Sequence, residues 1–370
     1  MSKLSLGMLS AFWPEGVFRY AGVPLHTVVE ACVRRPASSW RSAVALVGPH
    51  GASLTYQELL REVERAAAAL RAYLAPGQRV GIALTSAVEE VVWLLAATEA
   101  GAIVCLGGTG AEVVISPQPL PGKTTLSPSA LLSKVEEQAP AARPDLRSPR
   151  LVLPSVHGEA LYSHRNLVAA ALSWAAFFEL ADDVKVALAL PPSDWLSVTA
   201  LLAILTKGGT AYLAWGPSAE AADVDYLVAP WWALEEGRAD IWRGHVRVGV
   251  LAGIEGWFSP WRRRRLSSTL RAPLLTVLGR NDLGPVLASH PEWFLWEAVG
   301  IHISNVDTRP LDPADGHPLS LGWDVIEVAE MGVKSPMVPE GAETVQEGWA
   351  RTRLMAAIDP SGLFFLRGRL

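Results

Sequence analysis

The chain has 370 residues, 50% hydrophobic and 19% charged, which is more apolar material than one ordinary core needs and excludes global disorder. Lys and Arg total 32 against 37 Asp and Glu, a net charge of -5, so no overall basic field recruits nucleic acid or acidic lipid. Cys32 and Cys105 stand in apolar surroundings without Cys or His at metal-ligand spacing, which excludes a disulfide scaffold and a zinc site and points to a reducing cytoplasm.

Met1 to Gly16 carries one Lys and no sustained apolar core, so it fails as a secretory signal. Leu25 to Val33 reads as a short helix and Ala43 to Val47 as a strand. Thr55 and Glu58 then form a T-x-x-E capping box, and Leu59, Val63, Ala66, Ala67, Leu70 and Leu74 repeat at helical spacing. Arg79 to Leu84, Ala87 to Ala100 and Ile103 to Leu106 read as strand, helix and strand, an order that implies parallel pairing. Glu112 to Ile115 adds a strand, and Ser116 to Arg150 is dense in Pro, Ser and Gly around a helical patch at 129–137.

The alternation resumes with strand Arg150 to Leu153, helix His164 to Leu180, strand Lys185 to Leu190, helix Asp194 to Leu205 and strand Thr210 to Ala214. Leu167 to Leu180 is the most apolar stretch, and it is short of the roughly 20 residues that span a bilayer. Tyr226 to Ala229, Val246 to Leu251 and Leu274 to Leu278 are further strands, with helices expected over Trp231 to Trp242 and Ser259 to Leu270. Beyond Pro285 only short strands are expected: Gly300 to Ser304, Asp324 to Ala329 and Leu363 to Leu366. The expected fold is α/β: two parallel-sheet subdomains with flanking helices, at 1–150 and 151–284, and a small β-rich subdomain at 285–370.

Several motifs fail on inspection. Pro121-Gly122-Lys123-Thr124 ends like a phosphate-binding loop but has Pro117 where the motif needs glycine. Gly107-Gly108-Thr109-Gly110 lacks the third glycine of a dinucleotide fingerprint and reads as a turn. Arg262 to Arg265 reads as a solvated helix surface. The tryptophans crowded into the later half, among them Trp231, Trp232, Trp257, Trp261, Trp293 and Trp296, read as core, with an aromatic-lined pocket as the alternative.

A set of fragments in fixed order remains. Leu54-Thr55-Tyr56-Gln57-Glu58-Leu59, Tyr162-Ser163-His164-Arg165-Asn166-Leu167, Leu278-Gly279-Arg280-Asn281-Asp282-Leu283-Gly284, Gly348-Trp349-Ala350-Arg351-Thr352, Asp359-Pro360-Ser361-Gly362 and Gly368-Arg369 run across nearly the whole chain. Together they resemble the large lobe of the adenylate-forming enzymes: acyl-CoA synthetases, peptide-synthetase adenylation domains and luciferase. The resemblance implies that the small β subdomain is a distorted barrel and that the family's mobile C-terminal lobe, with its adenylation lysine, is absent from this sequence. It also implies that Asp282 stands in the place of a magnesium-holding acid, that Asn281 and Arg369 lie at the nucleotide, and that Trp195, Gly253 and Leu278 border an acyl pocket.

The departures from the family pattern are as informative as the matches. Ser155-Val156-His157-Gly158-Glu159-Ala160 stands where the family has a Gly/Ser/Thr-rich phosphate loop, with Gly158 in place of its lysine and Glu159 adding negative charge. Arg353 and Leu354 stand where the family has glycine and a ribose-binding aspartate, and leucine accepts no hydrogen bond. Three readings follow. The first is a degenerate relative that does not adenylate on its own and binds a carboxylic acid or its thioester. The second is an active carboxylic acid–AMP ligase using ATP and magnesium, with the small lobe supplied in trans. The third is an interaction protein that docks a partner, of its own kind or another, at the face the small lobe would cover.

Overall fold

The computed structural model describes residues 13–14, 16–106, 110–133, 145–215, 221–256 and 258–370. Most of the N-terminal segment to residue 16, the turn residues 107–109, Trp257 and the second half of the helix expected at 129–137 lie outside them.

The first helix begins at Val28, passes through a π-helical turn (Glu30–Arg34) and ends as α1 (Arg35–Ser39). Strands β1 (Val44–Val47) and β2 (Ser53–Thr55) lead to α2 (Tyr56–Arg71), which buries Leu59, Val63, Ala66, Ala67 and Leu70. Thr55 accepts the Glu58 N–H and the Glu58 carboxylate accepts the Thr55 N–H, closing the expected capping box. The parallel unit β3 (Arg79–Ile82), α3 (Ala87–Glu99) and β4 (Ile103–Cys105) follows, with β5 (Val113–Ile115) on the other side of β3. Pro121-Gly122-Lys123 turns the chain into β6 (Thr124–Leu126), ahead of the short α4 (Pro128–Leu132).

Next come β7 (Pro149–Ser155), β8 (Gly158–Ser163), α5 (His164–Phe177), β9 (Lys185–Leu188), α6 (Trp195–Thr206), β10 (Thr210–Leu213) and β11 (Val224–Pro230). Ser163 caps α5 and Asp194 caps α6 through the N–H groups of Asn166 and Ser197. Every residue of α6 from Trp195 to Leu205 is buried, as an all-round apolar helix requires. The helix expected over Trp231 to Trp242 is broken into α7 (Trp231–Ala233) and α8 (Ala239–Ile241), because Gly237 between them has φ +98°. Then follow β12 (Val246–Ile254), α9 (Pro260–Leu270), β13 (Leu274–Arg280), β14 (Gly284–Ala288) and β15 (Ile301–His302). The chain ends in β16 (Asp307–Leu311), β17 (Ala329–Lys334), β18 (Ala350–Ile358) and β19 (Phe364–Arg369). The strand expected at Asp324 to Ala329 thus starts only at Ala329.

Three sheets result. A six-stranded sheet runs β6-β5-β3-β4-β7-β8, parallel except for the β7/β8 hairpin. A nine-stranded sheet runs β15-β14-β13-β12-β11-β9-β10-β1-β2, parallel in its interior and antiparallel at both edges. The four strands β16-β17-β18-β19 form a separate antiparallel sheet. The architecture is the expected α/β class. Sheet membership does not follow the divisions at 150 and 284, since β1 pairs with β10, Leu46 opposite Ala211, and β14 and β15 extend the large sheet beyond 284. Such long-range pairing leaves no trace in local composition. Among the described residues no helix is long and apolar enough to cross a membrane.

The arginine run on α9 is not wholly a solvated surface. Arg263 is 1% exposed and donates to the carbonyls of Leu274, Leu295 and Ala298 and to the Ser289 hydroxyl, at 2.8 to 2.9 Å. Phe294 and Trp296 flank its guanidinium, so these aromatics clamp a buried cation rather than fill the core. Trp232 and Trp261 are 47% and 64% exposed, which corrects their reading as core. Burial without a carboxylate partner pushes the Arg263 guanidinium down to about 10. Arg263→Lys keeps the charge but cannot reach four acceptors at once, and urea unfolding is expected to show a loss of about 2 kcal/mol.

Candidate functional site

The C-terminal ends of β12 and β13, the start of α6, the β7–β8 hairpin and the start of β18 converge on one cleft. Ser155 pairs with Gly158 across the hairpin, so Val156 and His157 alone make its turn, and Gly158 has φ +117°. A two-residue turn offers no row of N–H groups around an anion, unlike the phosphate loop that the resemblance places here. Glu159 does not face the cleft as free negative charge. Arg79 donates to both of its oxygens, at 2.7 and 2.6 Å, and holds the carboxyl below its usual range.

Asn281 spends its polar groups on the protein. Its Nδ2 donates to the Pro154 carbonyl at 2.7 Å, its Oδ1 accepts the Trp195 N–H at 3.0 Å, and its carbonyl accepts the Tyr162 hydroxyl at 2.8 Å. One residue therefore ties β7, β8 and α6 to the end of β13.

Asp282 is fully buried beside it. Arg280 donates Nε to Asp282 Oδ1 at 2.5 Å and Nη2 to Oδ2 at 3.0 Å, and Arg280 is itself 6% exposed. The remaining guanidinium nitrogen, Nη1, donates to the Thr352 carbonyl at 2.9 Å. Both carboxylate oxygens and the fork of the arginine are thus spent on each other and on β18.

Two further ion pairs extend the closure. Arg351 donates to both oxygens of the fully buried Glu330, and this bond raises the Arg351 guanidinium above its ordinary range. Arg353 donates to Glu343 at 2.9 and 2.5 Å. Burial alone would push the Glu343 carboxyl up, but the Arg353 bond and the charges of Arg351 and His157 outweigh it and hold it below its usual range. His157, from the hairpin turn, brings Nε2 to 3.6 Å from Glu343 Oε2 and 3.9 Å from Asp282 Oδ2. Arg353 has φ +59°, the left-handed region that suits the glycine it replaces, and its N–H is anchored on Glu330 Oε1 at 3.0 Å.

Leu354 is 4% exposed and packs toward Leu278, Gly279 and Met331 around a void of only about 10 Å³. The residues that the resemblance puts at an acyl pocket also come close together and are also packed. Ile254 pairs with Leu278 across β12 and β13, which sets Gly253 one residue away. The Trp195 ring lies on Gly279, where a Cβ would stand 2.6 Å from it, and Leu196 fills the space over Gly253, where a Cβ would stand 2.5 Å from Leu196 Cδ2. Arg369 is exposed at the end of β19, opposite Leu354 in the pairing.

The shape of this cleft is therefore set by Arg280, Glu330, Glu343 and His157 as much as by the residues that motif reasoning singles out. Arg280-x-Asp282 and Arg351-x-Arg353, opposite a strand carrying Glu330, were the available signal. The residues present do not fit a magnesium nucleotide: the carboxylate at the expected position, Asp282, is sealed and neutralised, and Leu354 offers no acceptor to a ribose.

A family model described as "AMP-binding enzyme" matches residues 33–108. A search of curated protein sequences finds no match. Among solved structures, a long-chain-fatty-acid-CoA ligase, FadD1 of Archaeoglobus fulgidus, superposes with a TM-score of 0.80 at 15% identity, over 97% of this chain and 86% of that one. The N-terminal domain of FACL13 from Mycobacterium tuberculosis gives 0.77 at 17% identity, over 93% of this chain and 100% of that one. The chain has the fold of these adenylate-forming ligases. The o-succinylbenzoate CoA synthetase MenE of Bacillus subtilis, solved with a product analogue, gives 0.78 at 16% identity over 92% of this chain and 78% of that one. The likeness extends over the α/β sheets and the separate antiparallel sheet described above.

Proposed function

We propose that this chain is a ligase-like protein of the superfamily that forms no acyl-adenylate with its own residues. The observation that carries this reading is the buried Arg280–Asp282 pair, in which a guanidinium takes up both oxygens that would face a divalent cation. The two-residue hairpin turn and Leu354 support it from either side.

Its remaining role is binding. The relatives' names give carboxylic acids and CoA thioesters as the ligand class, and for this chain such a ligand requires the Trp195 ring to leave Gly279. A protein partner, a second copy included, requires no such change and is the reading the closed cleft favours. The alternative is an active acid–AMP ligase completed by a lobe in trans. Acid-dependent exchange of pyrophosphate into ATP separates the two. The expected outcome is exchange at the background rate with short, long and aromatic acids, and exchange above background with any of them overturns the proposal.

A further inference from the structure

Away from the cleft residues, a groove between α1 and α2 encloses about 470 Å³, a volume in the usual range for small-molecule sites. Arg34, Arg41, Gln57, Leu60, Arg61 and Glu64 line it. Its charges divide into spent and free. Arg34 donates to Glu30 at 2.8 Å, to Glu99 at 3.2 Å and to Glu64 at 3.2 Å, so the one carboxylate lining the groove is already engaged. Glu58, whose carboxyl the charge of Arg61 helps to hold low, is committed to the Thr55 cap through Oε2.

Arg41 and Arg61 have no side-chain hydrogen bond or ion pair among the described residues, and neither does the Gln57 amide. The backbone that carries them is nonetheless fixed. The Arg41 carbonyl accepts the Gln57 N–H at 3.1 Å, and the neighbouring Trp40 packs its ring on Gly208. Gln57 and Arg61 stand one turn apart on the well-capped α2. The groove thus presents two free guanidiniums and an amide NH2 from rigid elements, with no free carboxylate opposite them.

We propose that this groove binds a small polyanion, two of whose phosphate or carboxylate groups are held by Arg41 and Arg61 while Gln57 donates to one of them. Leu60 supplies an apolar wall. The inference shares no residue with the cleft and does not rest on the reading of its function.

Isothermal titration of the full chain at low salt, with sodium pyrophosphate and separately with citrate, tests it. Saturable binding is expected for at least one anion, weakened at least about tenfold in R41Q/R61Q. Tighter binding of pyrophosphate assigns the groove to phosphates, and tighter binding of citrate to carboxylates. The control R243Q/R271Q removes two other exposed arginines and is expected to bind as the parent does. All four residues are exposed, so unfolding curves of both variants are expected to match the parent's. Three results overturn the proposal: no saturable heat with either anion up to about 20 mM, undiminished binding by R41Q/R61Q, or an equal loss in R243Q/R271Q.

Discussion

Arg280→Met is expected to lower the free energy of unfolding by about 3–5 kcal/mol, because it strands the Asp282 carboxylate in the interior. Asp282 is 0% exposed and takes both of its hydrogen bonds from Arg280, and the carbonyl of Thr352 loses its donor as well. The double change Arg280→Met, Asp282→Leu removes both charges and is expected to regain most of that loss, since a buried pair replaced by apolar groups of similar size is close to neutral. Urea unfolding of the parent, both single variants and the double variant completes the cycle. A cost below about 1 kcal/mol for Arg280→Met would mean that water solvates the pair, and the cleft would then be open rather than sealed.

The second large effect is on acid stability. Burial, reinforced by the Arg150 guanidinium 3.2 Å from Nε2, pushes His164 down to about 3. Burial, reinforced by the charge of Arg19, does the same to His302. Both are therefore neutral in the folded chain, while in the unfolded chain each takes up a proton near pH 6.5. The stability that their neutrality provides is complete above the unfolded value and is lost as pH falls from about 6.5 toward 3. Two extra protons in the unfolded state give a slope of roughly 3 kcal/mol per pH unit. The carboxyls held low, Glu58, Glu159 and Glu343, add their own losses mainly below about pH 4.5; above it His290, which burial also pushes down, adds to the fall, and Glu90 and Asp194, which burial pushes up, offset part of it. Urea unfolding at pH 7, 6 and 5 is expected to show the steep fall, made shallower by about one proton's worth in His302→Gln. A flat profile would show that one or both rings are protonated or solvated in the fold.

Much of the fold is legible in the sequence because its signals are local. Thr55 and Glu58 mark a helix start by their side chains alone, and the apolar spacing from Leu59 to Leu70 sets the face that α2 buries. Ser163 with Asn166, and Asp194 with Ser197, work in the same way. The strands that escape are those whose evidence is a partner. Gly158–Ser163 reads as a polar continuation of a loop until β7 pairs with it, and Ala350–Ile358, whose Arg351 and Arg353 pair with Glu330 and Glu343, reads as a motif rather than a strand.

The cleft is less legible for a related reason. Asp282 can be placed by its resemblance to a family motif, but whether its oxygens are free depends on Arg280, two residues earlier at the end of β13, and on carbonyls about seventy residues later that hold the same arginine. Glu159 shows the same limit. Its charge is visible in the sequence, and its neutralisation by Arg79, eighty residues earlier on a strand of the same sheet, exists only in the folded chain. The Trp195 ring lies on Gly279, next in the chain to Leu278, and fills the space that a pocket would need there.

On the proposed reading, the chain's own ion pairs close the cleft to a nucleotide. Calorimetric titration with ATP and magnesium tests it most directly, carried out on R41Q/R61Q so that the separate groove cannot answer for the cleft. No saturable heat is expected up to millimolar ATP. Saturable heat in the micromolar range, abolished by adding Asp282→Ala, would contradict the account and establish the cleft as a working nucleotide site.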